Sequence, residues 1–349
     1  MSDDAGPISQ FGVAVAEQRR KGLRVALAVS VGFIFAVYSG AIVPFLGPLF
    51  AAQFLLGSAR PMPLGKALGM AALILVAGLF MMVLTSAFGD RHATFLMFLA
   101  LIYFSCFLAQ SSGKGGPAAF LVLVVAIIVP LLGILNRDLA NSILSILVTG
   151  VLSGTLLMWA AYAVVPEPPT IDVAAEPPTL QAPSYLRALA NTAILLAAVT
   201  ICLTNDKLAT AMVIPITVAS LLGQLDIASS GRAAFGLVIV NLLGGVLASI
   251  AYSILTLRPN LFVMFLIVLV VGLLLGGRAA ARSKDAGMFA GALTIFLILF
   301  GLGVSPLPGS AAESFTTRIV YVAVALIYAL LTAALLWPRP TVQPAKYPD

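Results

Sequence analysis

Prolines and isolated polar side chains inside long uncharged runs are the residues of this chain best placed to do chemistry. The segments IVPFLGPLFAAQ (42–53) and MVIPITVASLLGQ (212–224) carry Pro44, Pro48 and Pro215, and Pro48 and Pro215 stand 167 positions apart. A proline inside a helix removes an N–H and frees a carbonyl, and transport proteins use such broken helices to bind substrates or ions at depth. An ordinary kink is the other reading. Asn141, Ser145, Thr149 and Ser153 recur at every fourth residue beside Gly150 and Gly154, which makes an inclined row on a helix. Such a row suits the lining of an aqueous path or a small-residue helix contact. Asn191 and Asn241 each set an amide in an apolar run, where it needs a partner side chain or water. Arg137 and Arg318 stand just ahead of two apolar runs. Each could hold a carboxylate by a bidentate fork, or serve as an interfacial anchor paired with Asp138 or Glu313.

Other chemistries find little footing. No G-x-x-x-x-G-K-[ST] occurs, and Gly65-Lys66 is followed by Ala67, so ATP hydrolysis is not expected. The single histidine, His92, is too alone for a zinc site or a proton relay. Cys106 and Cys202 sit in apolar runs and read as small buried hydrophobes. No Asp or Glu lies deep in a run, where a proton-coupled carrier often keeps one. No catalytic constellation, metal site or cofactor is therefore expected.

The elements that carry these residues follow from charge spacing. Eleven stretches of 18 or more residues lack Asp, Glu, Lys and Arg: 25–59, 67–89, 92–113, 115–136, 139–166, 188–205, 208–225, 233–257, 259–277, 286–312 and 319–338. About 20 helical residues cross a hydrocarbon core of roughly 30 Å. The first stretch, at 35 residues, is too long for one crossing and should fold back at Ser39-Gly40-Ala41, giving twelve spans. Charged residues are 9% of the chain and hydrophobic ones 61%, against about 25% charged in soluble domains. The apolar runs are continuous rather than alternating, which excludes an outer-membrane barrel. The predicted class is an all-α polytopic membrane protein. Arg19-Arg20-Lys21 ahead of an apolar run imitates a signal peptide, but no soluble domain follows, so it reads as a cytoplasmic anchor.

With the N-terminus inside, 14 Lys and Arg fall on the cytoplasmic side and 5 outside, so both termini are expected in the cytoplasm. The two halves echo each other: FLMFL (95–99) against FVMFL (262–266), Gly65-Lys66-Ala67 against Gly231-Arg232-Ala233, Leu23-Arg24 against Leu186-Arg187, and Trp159 against Trp337. Six spans per half make this a parallel repeat. The predicted organisation is a tail (1–23), a six-helix half (24–165), a linker (166–184) with six prolines, a second half (185–338) and a tail (339–349). The prolines forbid helix in the linker and favour extended chain.

The segments LRVALAVSVGF (23–33), VPFLGPLFAAQFLLG (43–57), PLGKALG (63–69) and GRAAFGLVIVNLLGGVLASIAYS (231–253) resemble the fusaric-acid-resistance-like superfamily, nearest its short bacterial inner-membrane members. That superfamily includes bacterial aromatic acid exporters and, more distantly, plant malate channels. The resemblance implies export of small organic anions across the bacterial inner membrane, a possible periplasmic adaptor of the membrane-fusion type and a possible homodimer. It matches Arg318, in FTTRIV (315–320), to a basic family position. Larger permeases of that superfamily carry a cytoplasmic domain after each half, where this sequence shows the linker 166–184 and the segment 339–349. A transporter or efflux permease for aromatic or carboxylic anions is thus the expected function. A non-transporting scaffold for an envelope or adaptor complex is the alternative.

Overall fold

A computed structural model describes residues 7–57, 60–112, 116–135, 137–167, 184–204, 213–225, 231–281, 283, 285–305 and 315–337. Among them there is helix and turn but no strand. The helices are α1 (Pro7–Tyr38), α2 (Leu46–Gly57), α3 (Leu64–Phe88), α4 (His92–Ser111), α5 (Gly116–Leu135) and α6 (Arg137–Val164). Then come α7 (Tyr185–Thr204), α8 (Val213–Leu225), α9 (Gly231–Leu257), α10 (Leu261–Ala279), α11 (Ala286–Val304) and α12 (Phe315–Leu336). Seven of the described helices are long and apolar enough to cross a membrane, which fits an all-α, multi-pass membrane protein.

The long first run folds back where its length requires. α1 ends in a glycine cap: Gly40 has φ +69°, its N–H bonds Val37 O at 3.1 Å, and Ala41 N–H bonds Ala36 O at 2.9 Å. This pair of bonds satisfies the last carbonyls of the helix and needs a left-handed residue, which glycine supplies without a Cβ clash. α1 also starts well before the apolar run, at Pro7, so part of the segment expected as a tail is helical.

Burial sorts the helices into a centre and a surround. α2 buries Leu46–Ala52 without a break, α5 buries 121 and 123–131, α8 buries 215–222 and α11 buries 291–302. Helices apolar on every face belong inside. The surrounding helices are one-sided. α3 turns Ala67, Ala71, Ile74, Gly78, Met81 and Leu84 inward, at helical spacing, and exposes Leu68, Val76, Leu79, Phe80 and Val83. Large apolar groups outside and small ones inside are what a lipid-facing helix requires, because lipid costs the outer face nothing and close packing rewards the inner one.

Neighbouring helices pair as α2 with α6, α3 with α5, α8 with α12 and α9 with α11. The first six helices meet the last six along α1–α10, α4–α7, α2–α11 and α5–α8. The α1–α10 seam is built on backbone. α10 widens to a π-helical turn at Gly272–Gly276. A Cβ on Gly22 would come 2.7 Å from Gly277 Cα, one on Gly272 3.0 Å from Ala26 Cα, and one on Gly276 2.9 Å from a Val25 methyl. The α4–α7 seam contains no glycine on either helix.

Candidate functional site

The chain just ahead of α8 (Val213–Leu225), the helix that carries Pro215, lies outside the described residues. Pro48 does not interrupt a helix: it is the third residue of α2 (12 residues), after the non-helical 41–45. In a first turn the backbone N–H has no intrahelical acceptor, so proline is tolerated there and the carbonyl-freeing kink expected from sequence does not arise. The Pro48 ring instead packs on α1, with Cγ 3.2 Å from where a Gly32 Cβ would stand. Ahead of α2 lies a non-helical lead-in, residues 41–45, in which Val43, Pro44 and Phe45 are buried. Backbone off the helical ladder is tolerated at membrane depth only when protein satisfies it. Here Ser305 Oγ donates to Ile42 O at 2.6 Å, Leu49 N–H donates to Phe45 O at 2.9 Å, and Phe45 closes on Gly301 of α11. The corresponding lead-in to α8, 205–212, lies outside the described residues.

A polar link ties the two sets of helices together near this point. Gln53 Nε2 on α2 donates to Thr294 Oγ1 on α11 at 3.1 Å, and Thr294 Oγ1 donates to Ala290 O at 3.0 Å. Thr217 and Ser220 are buried on α8. On α4, Gln110 Nε2 is buried without a hydrogen-bond partner among the described residues, and a Cβ on Gly223 of α8 would stand 3.0 Å from Gln110 Oε1. Sequence reading passed over Gln53 and Thr294. The available signal was the polar amide closing the very segment that carries Pro44 and Pro48.

The polar row on α6 divides. Four residues turn a helix through about 400°, so each member sits roughly 40° further round than the last. Ser153 faces α2, where a Gly47 Cβ would meet its Oγ at 2.5 Å, and Gly150 and Gly154 press on Phe50. Ser145 and Thr149 lie on the exposed side with Leu152 and Leu156. Asn191 is 1% exposed, and its Oδ1 accepts from Trp337 Nε1 at 2.9 Å, which makes it a tie between α7 and the end of α12. The side chains of Asn141, Asn241, Arg137 and Arg318 lie outside the described residues.

The other concentration of polar groups is at the foot of α1. Lys21 Nζ donates to Leu56 O at 3.0 Å, on the last turn of α2, and Trp159 Nε1 donates to Met62 O at 2.9 Å. Arg24 Nε donates to Val165 O at 2.7 Å, just past the end of α6, where helix carbonyls favour a cation. Its guanidinium lies 4.3 Å over the Tyr162 ring, and Nη1 is 3.8 Å from Glu167 Oε1. At the start of α7, Arg187 similarly lies 4.6 Å over the Trp337 ring.

The sequence matches no family model, no curated protein and no solved structure. Function is therefore argued from the residues and their geometry.

Proposed function

We propose that this protein is an inner-membrane secondary transporter, an efflux permease for small aromatic or carboxylic anions, with twelve spans in two parallel six-helix halves and both termini cytoplasmic. The repeat is supported by the sequence, in which Pro48 and Pro215 stand 167 residues apart, as do FLMFL (95–99) and FVMFL (262–266). Neighbours repeat as well, α2–α6 answering α8–α12, α3–α5 answering α9–α11, and α4–α7 answering α10–α1.

The observation that carries the transport reading is the buried non-helical lead-in at 41–45 followed by a short central helix, held between the halves by Ser305 and Gln53. A purely structural bundle gains nothing from off-ladder backbone at this depth, whereas a substrate path between repeats is commonly built on it. The path runs beside Pro44, Pro48 and Pro215, with Asn141 and Asn241 as its candidate polar contacts, and Arg137 and Arg318 draw the anion at the outer end. A periplasmic adaptor and a homodimer are compatible arrangements. The test is flux through proteoliposomes of benzoate against benzamide, for the native chain, Arg318→Gln and Arg318→Lys. The reading expects benzoate flux above empty vesicles and a selective loss of benzoate in both variants. A chain that moves neither solute is a scaffold instead. Equal losses for both solutes remove the case for anion selection at Arg318.

A further inference from the structure

Arg24 is the one charged side chain among the described residues that is buried, at 3% exposure. Burying a guanidinium is costly unless its donors are matched, and Arg24 is poorly matched. Nε is satisfied by Val165 O, but Nη1 meets Glu167 only at 3.8 Å, beyond hydrogen-bond length, and Nη2 has no hydrogen-bond partner. Capping the end of α6 accounts for Nε alone. It leaves unexplained why Nη2 is buried without a hydrogen-bond partner while Nη1 meets a carboxylate only at ion-pair distance.

We infer that the Nη1–Nη2 edge of Arg24 is a carboxylate subsite at the cytoplasmic end of the transport path, and that an incoming carboxylate takes the place of Glu167. This rests on the anion-transport reading above and adds a residue and a mechanism of loading to it. The two Nη groups present parallel N–H donors spaced for a carboxylate, a match lysine cannot make. The bond to Val165 O and the Tyr162 ring fix the guanidinium plane, so the fork is set before the ligand arrives. Glu167, 25% exposed and 3.8 Å from Nη1, is the resident carboxylate that substrate must displace. The sequence hid this residue because Arg24 precedes the first apolar run and counts there as one more cytoplasmic anchor.

The experiment is calorimetric titration of benzoate and benzamide into the full chain in lipid nanodiscs, for the native protein, Arg24→Gln, Arg24→Lys and Glu167→Gln. Removing the competing carboxylate should tighten benzoate in Glu167→Gln by roughly threefold or more, the scale of an exposed ion pair. Arg24→Lys should weaken benzoate by about tenfold, equivalent to ~1.4 kcal/mol, and Arg24→Gln should abolish it. Benzamide should be indifferent to all three. Native-like benzoate affinity in Arg24→Gln, or unchanged or weaker affinity in Glu167→Gln, overturns the subsite while leaving anion transport standing. Absence of benzoate binding by the native protein overturns the anion reading itself. Should Arg24→Gln fail to give a monodisperse protein, Glu167→Gln decides alone, since that side chain is partly exposed and the sign of its effect is set by competition.

Discussion

Gly154→Ala adds one methyl group at the place where α6 lies closest to α2. The new Cβ would stand 2.7 Å from Phe50 Cβ and 3.0 Å from both Ala51 N and Gly47 O. Ordinary contacts of carbon with carbon begin near 3.5 Å, so the helices must part by about 1 Å. None of the three atoms is the end of a flexible side chain, so no rotamer change relieves the clash. Nor is α2 free to retreat, because Lys21 holds its last turn and Ser305 and Gly301 hold its lead-in. Overpacking of this kind costs about 1–3 kcal/mol. Gly47→Ala, facing the same seam, should cost less: its Cβ would meet Ser153 Oγ at 2.5 Å, and that hydroxyl can rotate away for the loss of its 3.0 Å bond to Gly150 O, about 1 kcal/mol. Gly69→Ala on α3 has nothing within 4 Å and should be neutral or slightly stabilising. Thermal unfolding of the three variants in one detergent should rank Gly154→Ala as least stable, then Gly47→Ala, then Gly69→Ala. Equal midpoints for Gly154→Ala and Gly69→Ala would refute the α2–α6 separation on which the placement of the central helices depends.

Gly40→Ala forces a Cβ into the left-handed region at φ +69° and should cost about 1–2 kcal/mol, read as a lower unfolding midpoint. Asn191→Leu leaves Trp337 Nε1 without its acceptor and should destabilise by about 1–3 kcal/mol, with a shift in tryptophan emission as the indole loses its bond. Gln53→Leu removes the hydrogen bond between α2 and α11. It should alter the rate of benzoate flux while leaving the unfolding midpoint within about 1.5 kcal/mol of native, and an unchanged rate would make the link purely structural. In a background lacking Cys106 and Cys202, cysteines at Asp206 and Ser310 should be labelled from outside intact cells and one at Glu176 should not, with the opposite pattern reversing the proposed orientation.

The α1–α2 reversal was legible because a run of 35 uncharged residues cannot be one crossing and Gly40 is the residue that can end a helix there. The special status of the Pro44–Pro48 segment was legible too, but its form was not. Sequence alone does not say whether the residues before a proline are helical, and that distinction separates a mid-helix kink from the helix start seen here. The row on α6 divides because a spacing of four drifts against a period of 3.6, leaving Ser153, with Gly150 and Gly154, in the small-residue helix contact the sequence allowed and Ser145 and Thr149 off that face. Gln53 with Thr294, and Arg24 with Val165, join positions 241 and 141 residues apart. Partnerships at that range are set by how helices stack, and no local pattern announces them.

The glycine-lined contact of α1 with α10 has a mechanical consequence. Where backbone meets backbone there are no rotamers to change and no side chains to compress, so the surfaces must turn against each other as rigid bodies or stay fixed. The α4–α7 contact, free of glycine, has side chains that can repack. A bundle with one stiff joint and one compliant joint is a lever with its fulcrum already chosen. Any movement at this contact would turn about Gly22 and Gly272, where the two backbones touch, while α4 and α7 could adjust by repacking side chains.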